Sequence, residues 1–258
     1  MTPLHVELSL GLLRSLLIYW RPGRQRALRQ LYGSLVHPGD LVFDVGAHLG
    51  DRCVAFSALG ARVVALEPQP DIRRWLARLV GTRPDVVIRP EAVGQAPGTA
   101  RLAVSHRTPT VSSLAEHWRT VLPFANPGFR NVRWQEYVEV DVTTLDVLIH
   151  EHGVPQFCKI DVEGFEAQVL CGLSRPLPAL SLEFVRGALD IAVESVQRLK
   201  ALGRYEFNAV VGEGRCFVFE QWLGPDKMID WLGEEADSAR SGDVYARLVK
   251  PAGEAHRD

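Results

Sequence analysis

The chain has few cysteines, and they show no pairing pattern. Its 258 residues include four, none of them in a Cys-x-x-Cys motif: Cys53, Cys158, Cys171 and Cys216. This spacing argues against a zinc ribbon or a disulfide framework, and the apolar neighbours of three of them indicate buried thiols in a reducing compartment. We therefore expect a cytoplasmic location.

The chain also has little net charge. Its formal net charge is −2, so no overall field attracts the protein to nucleic acid. Apolar residues make up 47% of the chain and charged residues 23%, which is typical of soluble globular proteins. The length allows one large domain with a sizeable core. We expect such a domain, with no nucleic-acid partner.

The apolar stretch near the N-terminus is too short to cross a bilayer. Residues 8–20 (LSLGLLRSLLIYW) span 13 positions and include Arg14, whereas a transmembrane helix needs about 20 apolar residues. An apolar helix followed by arginines can lie on an anionic membrane surface, but Gly11, Arg14 and Ser15 make this one a poor anchor. We predict that residues 1–37 form a helical cap on the main domain or on a second subunit of a homodimer. The arginines that follow the apolar stretch should face water: Arg21, Arg24, Arg26 and Arg29.

The first glycine-rich turn lacks the spacing of a dinucleotide fingerprint. Residues 41–50 read LVFDVGAHLG, an apolar run followed by a single glycine pair, Gly46 and Gly50, with Asp44 two residues ahead. A G-x-G-x-x-G motif would space its glycines by two and three. The pattern D-x-G-x-x-x-G fits S-adenosylmethionine better than NAD. A plain tight turn is the alternative.

A carboxylate follows the second apolar run at a suitable distance. Residues 63–66 are apolar and end in Glu67 and Pro68. An acid at the tip of the second strand of such a unit can accept both ribose hydroxyls of an adenosine. Glu67 is therefore a candidate cofactor ligand.

Strands and helices alternate along most of the chain, which predicts a doubly wound α/β sheet. Before the middle we expect strands at 41–45, 62–66 and 86–89, with helices at 51–59 and 71–80, the second capped by Asp71. After it we expect strands at 157–162 and 180–184, with helices at 165–170 and 188–202. Residues 205–211 and 216–222 should form a hairpin, because only a short glycine-containing turn separates them. A parallel sheet that closes on an antiparallel hairpin is typical of the Rossmann-like seven-stranded methyltransferase fold.

The domain boundaries follow from the same pattern. We assign residues 38–250 to one domain and residues 251–258 to a disordered tail. Residues 94–137 form an irregular insert in the substrate region, with a short strand at 101–104, and are followed by a strand at 137–142 and a helix at 143–150. The aromatic residues of this region could line an acceptor site or form a small secondary core: Trp118, Phe124, Phe129 and Trp134.

A second chemical cluster, KIDVEGFE at residues 159–166, follows another strand. Ligands of open α/β sheets lie beyond the carboxyl ends of the strands, so Asp161 should meet Asp44 and Glu67 at one edge. Glu183 ends the next strand in the same way. Glu166 is better explained as a first-turn acid that stabilises a helix dipole, and the same explanation stays open for Glu163.

Five segments in order resemble the FkbM family of S-adenosylmethionine-dependent methyltransferases, over about residues 38–183. They are FDVGAHLG, ALEP, EAVG, VTTLD and KIDVEGFEAQVLCG. The resemblance implies O-methylation of a hydroxyl on a small molecule, sugar or glycolipid. It also implies these site residues: Asp44, Gly46 and Gly50 in the cofactor turn, Glu67 on the ribose, Ala92 and Val93 on the adenine, Asp161 beside the methionine part and the acceptor, and Ser112 and Ser113 at the flank. His48, also expected in the cofactor turn, stands where an asparagine is frequent.

The implied reaction needs a base, because a neutral alcohol is a poor nucleophile. Asp161 is the first candidate and Glu183 the second acid in the same crevice, while His106 and His117 are alternatives. Asp161 and Glu183 could instead hold Mg²⁺, a possibility we do not favour. Two other functions stay open: a non-catalytic relative that binds S-adenosylmethionine, and an NAD-type oxidoreductase.

Overall fold

The computed structural model describes residues 3–212, 214–234 and 236–249. The predicted tail at 251–258 lies outside them. The α-helices of the described residues are α1 (Pro3–Tyr19), α2 (Arg24–Tyr32), α3 (Asp51–Ala58), α4 (Pro70–Val80), α5 (Glu116–Ala125), α6 (Leu145–His152), α7 (Glu166–Cys171), α8 (Leu189–Leu202) and α9 (Pro225–Glu234). The strands are β1 (Leu41–Val45), β2 (Arg62–Leu66), β3 (Val86–Arg89), β4 (Ala92–Val93), β5 (Gly98–Val104), β6 (Glu136–Thr143), β7 (Phe157–Ile160), β8 (Ala179–Val185), β9 (Tyr205–Val211) and β10 (Ser241–Leu248).

The main sheet has seven strands in the order β3-β2-β1-β7-β8-β10-β9. All neighbours are parallel except β10, which runs antiparallel to both β8 and β9. The order reverses between β1 and β7, and their carboxyl ends form the switch point at which α/β sheets bind ligands. The predicted doubly wound methyltransferase sheet with a terminal antiparallel pair is confirmed.

The antiparallel strand comes from a different segment than predicted. Residues 216–222 form no strand; they follow the outer edge of β9 through isolated contacts, such as the amide of Val218 to the carbonyl of Ala209. The side chain of Asn208 holds this segment by bonding both the amide and the carbonyl of Phe219. The pairing partner of β9 is β10, reached through α9 rather than through a tight turn.

Helices cover both faces of the sheet. On one face, α6, α7, α8 and α9 bury a large apolar cluster that includes Phe184 and Val196. On the other face, α2, α3 and α4 pack over strand residues such as Phe157 and Tyr245. β1 is buried along its whole length, as the apolar run predicts. This layering fixes the strand ends that carry the candidate site.

The middle segment is more regular than predicted. β4, β6 and β5 form a second, three-stranded sheet, and α5 lies in the connection from β5 to β6. The ring of Trp118 packs edge-on against Phe129 and Trp134 in a small core, so three of the four aromatic residues serve packing. The fourth, Phe124, is 92% exposed.

Two smaller predictions also need correction. Cys53 and Cys158 are buried, but Cys171 and Cys216 are exposed, because α7 and the segment after β9 turn them outward. The cap of α4 is Gln69 rather than Asp71, since Pro70 takes the first helical position, where its missing amide is not needed.

The N-terminal cap lies on the domain with one face only. Leu12 of α1 is buried beside Leu49 and Ile72, whereas Leu10, Leu13 and Leu17 on the opposite face are 60%, 54% and 69% exposed. No helix among the described residues is long and apolar enough to cross a membrane.

The prediction that Arg24 faces water is wrong. Its side chain is buried and bonds Asp51 at 2.6 Å, which ties α2 to the first turn of α3.

Candidate functional site

Two adjoining cavities open at the carboxyl ends of β1, β2, β7 and β8. Counting the open solvent space at its mouth, the larger has a volume of about 830 Å³. On the same measure the smaller has about 490 Å³. Tyr19, Arg52, Asp161 and Glu163 line both, so the two cavities are neighbours with a common wall.

The glycine turn after β1 forms the floor of the larger cavity. Gly46 has a φ of 80°, and a Cβ atom there would meet the carbonyl oxygen of Asp161 at 1.8 Å. Only glycine lets the turn lie this close to the chain after β7. Gly50 does not line the cavity; its missing side chain leaves room for Leu76 and Val80 of α4.

His48 occupies the left-handed region with a φ of 47°. Asparagine and histidine both tolerate that conformation better than most residues, which accounts for a histidine where asparagine is frequent. Its ring meets Tyr19 edge-on at 5.4 Å. Burial lowers the pKa of His48 to about 4, so the ring is neutral at physiological pH.

Glu67 lies in the larger cavity with both carboxylate oxygens oriented by the backbone. Oε2 accepts the amide of His48 and Oε1 accepts the amide of Gln69, each at 2.9 Å. Glu67 is 3% exposed. Burial raises the pKa of Glu67 to about 7 even though these two amides oppose the shift.

Apolar groups form the opposite wall of the larger cavity. Ala92 and Val93 line it, together with Leu102 and Phe165. Ser112 also lines it, and its hydroxyl donates to the side chain of Gln69 at 3.0 Å. Ser113 does not line the cavity; its hydroxyl donates to the backbone carbonyl of Glu163, which does, at 2.6 Å.

A buried lysine organises the acids after β1 and β7. Lys159 is 1% exposed; its ammonium lies 2.8 Å from Asp161 Oδ2 and 3.9 Å from Asp44 Oδ1. Asp44 also accepts the thiol of Cys53 at 3.0 Å and lies behind the cavity wall rather than in it. Burial acts to raise the pKa of Asp161, but Lys159 and Arg52 outweigh it and the pKa is lowered. Asp161 is therefore an anion paired with a cation.

The smaller cavity is lined by polar groups and glycines apart from Tyr19. Glu163, Glu183 and Asp243 face it with Asp161 and Arg52, so we call it the acidic cavity. Burial, and then the neighbouring carboxylates, raise the pKa of Glu163 and of Glu183 well above the usual range. Glu183 Oε2 is inaccessible to solvent and has no hydrogen-bond partner in the described part of the chain.

One group of side chains among the described residues is close enough to hold a metal ion. The ligand atoms of Asp161, Glu163 and Glu183 lie within 4.8 Å of one another. Three carboxylates suit an oxygen-preferring cation such as Mg²⁺. Glu163 also has a φ of 56°, a strained conformation for a residue with a side chain.

Most of the predicted site residues meet at these cavities. Gly46, His48, Glu67, Ala92, Val93, Ser112 and Asp161 line the larger one, and Glu183 lines the acidic one. His106 and His117 line neither; His106 is buried beside Glu136 and His117 is exposed. Glu166 is 2% exposed and caps the turn before α7 by accepting the amides of Val162 and Gly164.

Sequence reasoning missed several residues that line the cavities, among them three charged side chains and a tyrosine. Lys159 had a signal, since a lysine inside the apolar run FCKI needs a buried partner. Arg52 directly follows the first residue of α3 and could have been inferred from the glycine turn. Tyr19 and Asp243 gave no local signal, because α1 and β10 reach the site through tertiary packing.

Comparison with known proteins gives one family and several similar structures. The chain matches the family model for the methyltransferase FkbM domain over residues 44–213. No curated protein matches it. Among solved structures, the TehB-like SAM-dependent methyltransferase from Corynebacterium glutamicum is 11% identical with a TM-score of 0.48, covering 96% of this chain and 100% of that one. The precorrin-6y C5,15-methyltransferase from Geobacter metallireducens is 12% identical with a TM-score of 0.47, covering 89% and 88%. An O-methyltransferase from Bacillus cereus in complex with SAH is 13% identical with a TM-score of 0.43, covering 95% and 90%.

Proposed function

The chain belongs to the FkbM family of S-adenosylmethionine-dependent methyltransferases, and on that premise we propose that it methylates a hydroxyl group of a sugar, a glycolipid or a similar polyhydroxylated small molecule. The observation that carries this proposal is the acidic cavity adjoining the larger one, with Glu183 in its lining.

The larger cavity fits the cofactor. Glu67 has a lone pair left on each oxygen after accepting its backbone amides, which suits the two ribose hydroxyls. Ala92 and Val93 offer an apolar surface for the adenine, and the close packing of Gly46 on the backbone of Asp161 holds the turn and this acid together beside the place of the methionine part. When bound, the cofactor supplies an electrophilic methyl group on its positively charged sulfur, and the sulfur leaves as a neutral thioether.

The acidic cavity suits an acceptor rich in hydroxyls. Its lining offers carboxylates, the guanidinium of Arg52 and the hydroxyl of Ser241, and few surfaces on which a flat aromatic ring would pack. In the reaction, Glu183 takes the proton of the attacking hydroxyl as the oxygen forms its bond to the methyl carbon. Burial and the neighbouring carboxylates raise the pKa of Glu183, so its ionised form, which acts as the base, is more basic than an ordinary carboxylate and forms at a higher pH. Asp161, held ionised by Lys159, stays an anion beside the positive charge of the cofactor.

The test compares Glu183→Gln with the wild type on a panel of sugars and glycosides, measuring transfer of labelled methyl groups. We expect turnover to fall by roughly 10²–10⁴-fold, with cofactor affinity by calorimetry within a few-fold. Glu206→Gln, on β9 but outside both cavities, is the matched control and should keep full activity. Turnover preserved in Glu183→Gln would remove Glu183 from the reaction.

A metal-dependent mechanism is the second candidate, favoured by the closeness of the three carboxylates. In that case a chelator abolishes activity of the wild type and Mg²⁺ restores it. Asp161→Asn should also lose most turnover under either mechanism, but it leaves buried Lys159 without its closest partner, so it tests stability as well. Activity that survives in both Asp161→Asn and Glu183→Gln would exclude both mechanisms.

A further inference from the structure

The exposed face of α1 has the pattern of a helix that meets an apolar phase. Leu10, Leu13 and Leu17 are spaced by three and four residues and so lie on one side of the helix. They are 60%, 54% and 69% exposed, with Ile18 at 36% on the edge of the stripe. We call these four residues the outer apolar face.

The position of α1 is fixed by its other side. Gly11 lies so close to the chain after β5 that a Cβ atom would meet the carbonyl oxygen of His106 at 2.4 Å. Leu12 and Ser15 are buried, and Tyr19 lines both cavities. The helix therefore cannot turn its outer apolar face inward without giving up these contacts.

Basic residues accompany this face along the chain, and residues 8–39 contain no acid. Arg14 is exposed on α1, and Arg21, Arg26 and Arg29 are exposed in the segment that follows. No aspartate or glutamate occurs between Glu7 and Asp40, although the whole chain has a formal net charge of −2. The positive charge is therefore concentrated around α1 and α2.

We propose that α1 docks on the surface of a membrane containing anionic lipids, with the outer apolar face among the acyl chains and the exposed arginines on the headgroups. Apolar side chains beside arginines are the composition of interfacial helices. A symmetric dimer through the same face fits less well, because a two-fold interface would bring Arg14 of each copy towards the other. The inner side is buried against the domain, in line with the prediction from sequence, and burial of the outer side against a second subunit is an outcome of the test below.

The experiment is co-sedimentation of the full chain with vesicles at physiological salt. One set of vesicles is phosphatidylcholine alone, and the other contains a third of phosphatidylglycerol. We expect binding to the anionic vesicles and little to the neutral ones. Each arginine near a charged surface changes binding roughly fivefold, so R14Q/R21Q/R26Q/R29Q should weaken it by two orders of magnitude or more.

Two further variants separate docking from loss of structure. L10Q/L13Q/L17Q changes only exposed side chains, so it should lose vesicle binding while its melting temperature stays near that of the wild type. The matched control is F124Q/R130Q/R133Q, which removes an exposed aromatic and two exposed arginines outside α1 and should bind vesicles normally.

Three results would overturn the proposal. The first is a wild type that fails to bind the anionic vesicles. The second is equal binding by the wild type and both α1 variants. The third is a wild-type dimer in sedimentation equilibrium that L10Q/L13Q/L17Q converts to a monomer without any vesicle binding, which would assign the face to a second copy.

Discussion

Replacing Glu67 by glutamine tests the cofactor cavity through the pH dependence of binding. The free carboxyl has a pKa of about 7, raised by burial. Two ribose hydroxyls donate to the ionised form, so cofactor binding favours loss of the proton. Near pH 6 only about a tenth of the free protein has this carboxylate ionised, and near pH 8 about nine tenths. We therefore expect S-adenosylmethionine to bind roughly tenfold more weakly at the lower pH.

The substitution should remove both the charge and this pH dependence. Losing two hydrogen bonds to a charged acceptor costs about 2–4 kcal/mol, which is a loss of roughly 30-fold or more in affinity above pH 7. Calorimetric titrations of Glu67→Gln and of the wild type over this pH range give both quantities. Because other acids also line the cavity, the quantity to compare is the difference between the two profiles.

Glu166→Gln is the matched control for this experiment. Glu166 is also buried, also accepts two backbone amides, and also has a pKa raised by burial to about 7, but it does not line the cavity. Its variant should keep the wild-type pH slope of cofactor binding. An unchanged affinity and slope in Glu67→Gln would refute the assignment of Glu67 to the ribose.

Three other outcomes follow from the structure. Arg24→Ala should lower the free energy of unfolding by up to about 3–5 kcal/mol, since buried Asp51 loses its closest partner and keeps the more distant guanidinium of Arg52 at 3.8 Å, and denaturant unfolding measures this loss; an exposed-surface effect below about 1 kcal/mol would contradict the burial of the pair. Gly46→Ala should abolish cofactor binding in calorimetry, because its Cβ atom would overlap the carbonyl oxygen of Asp161; normal binding would show that the turn can move. Finally, burial raises the pKa of Glu166 to about 7, so the folded protein keeps this proton to a higher pH than the unfolded chain does. The free energy of unfolding should therefore fall by about 3 kcal/mol through this group as the pH rises from about 4.5 to about 7. Melting curves of Glu166→Gln at several pH values should show a decline that is smaller by this amount.

The first half of the sheet could be predicted because its strands are short apolar runs between helical segments, buried along all of β1 and most of β2. β1, β2 and β3 have the predicted bounds, since continuous apolar runs between helical segments leave few alternatives. Glu67 and Asp161 followed from the same reasoning, because acids that directly follow such strands meet at one edge. Their roles remain predictions, but their meeting at one cavity did not need the structure.

The last strand could not be predicted, because local preference and long-range pairing disagree there. Residues 216–222 have a stronger β preference than Ser241–Leu248, which begins with serine, glycine and aspartate. What decides is the gap between β8 and β9, which β10 fills with pairs on both sides. Asp243 and Tyr19 stayed hidden for the same reason, since no short stretch of sequence shows which distant strand ends they approach.

The insertion of β10 between β8 and β9 has a consequence for how the chain can be divided. The family match covers residues 44–213, but β10 lies beyond it and β1 begins before it. A fragment cut to the matched residues would lack the strand that joins β8 to β9. It would expose two unpaired inner edges, which are templates for pairing with other chains. The region recognised by sequence is thus smaller than the unit that can fold, and aggregation rather than a working minimal domain is the expected result of such a truncation.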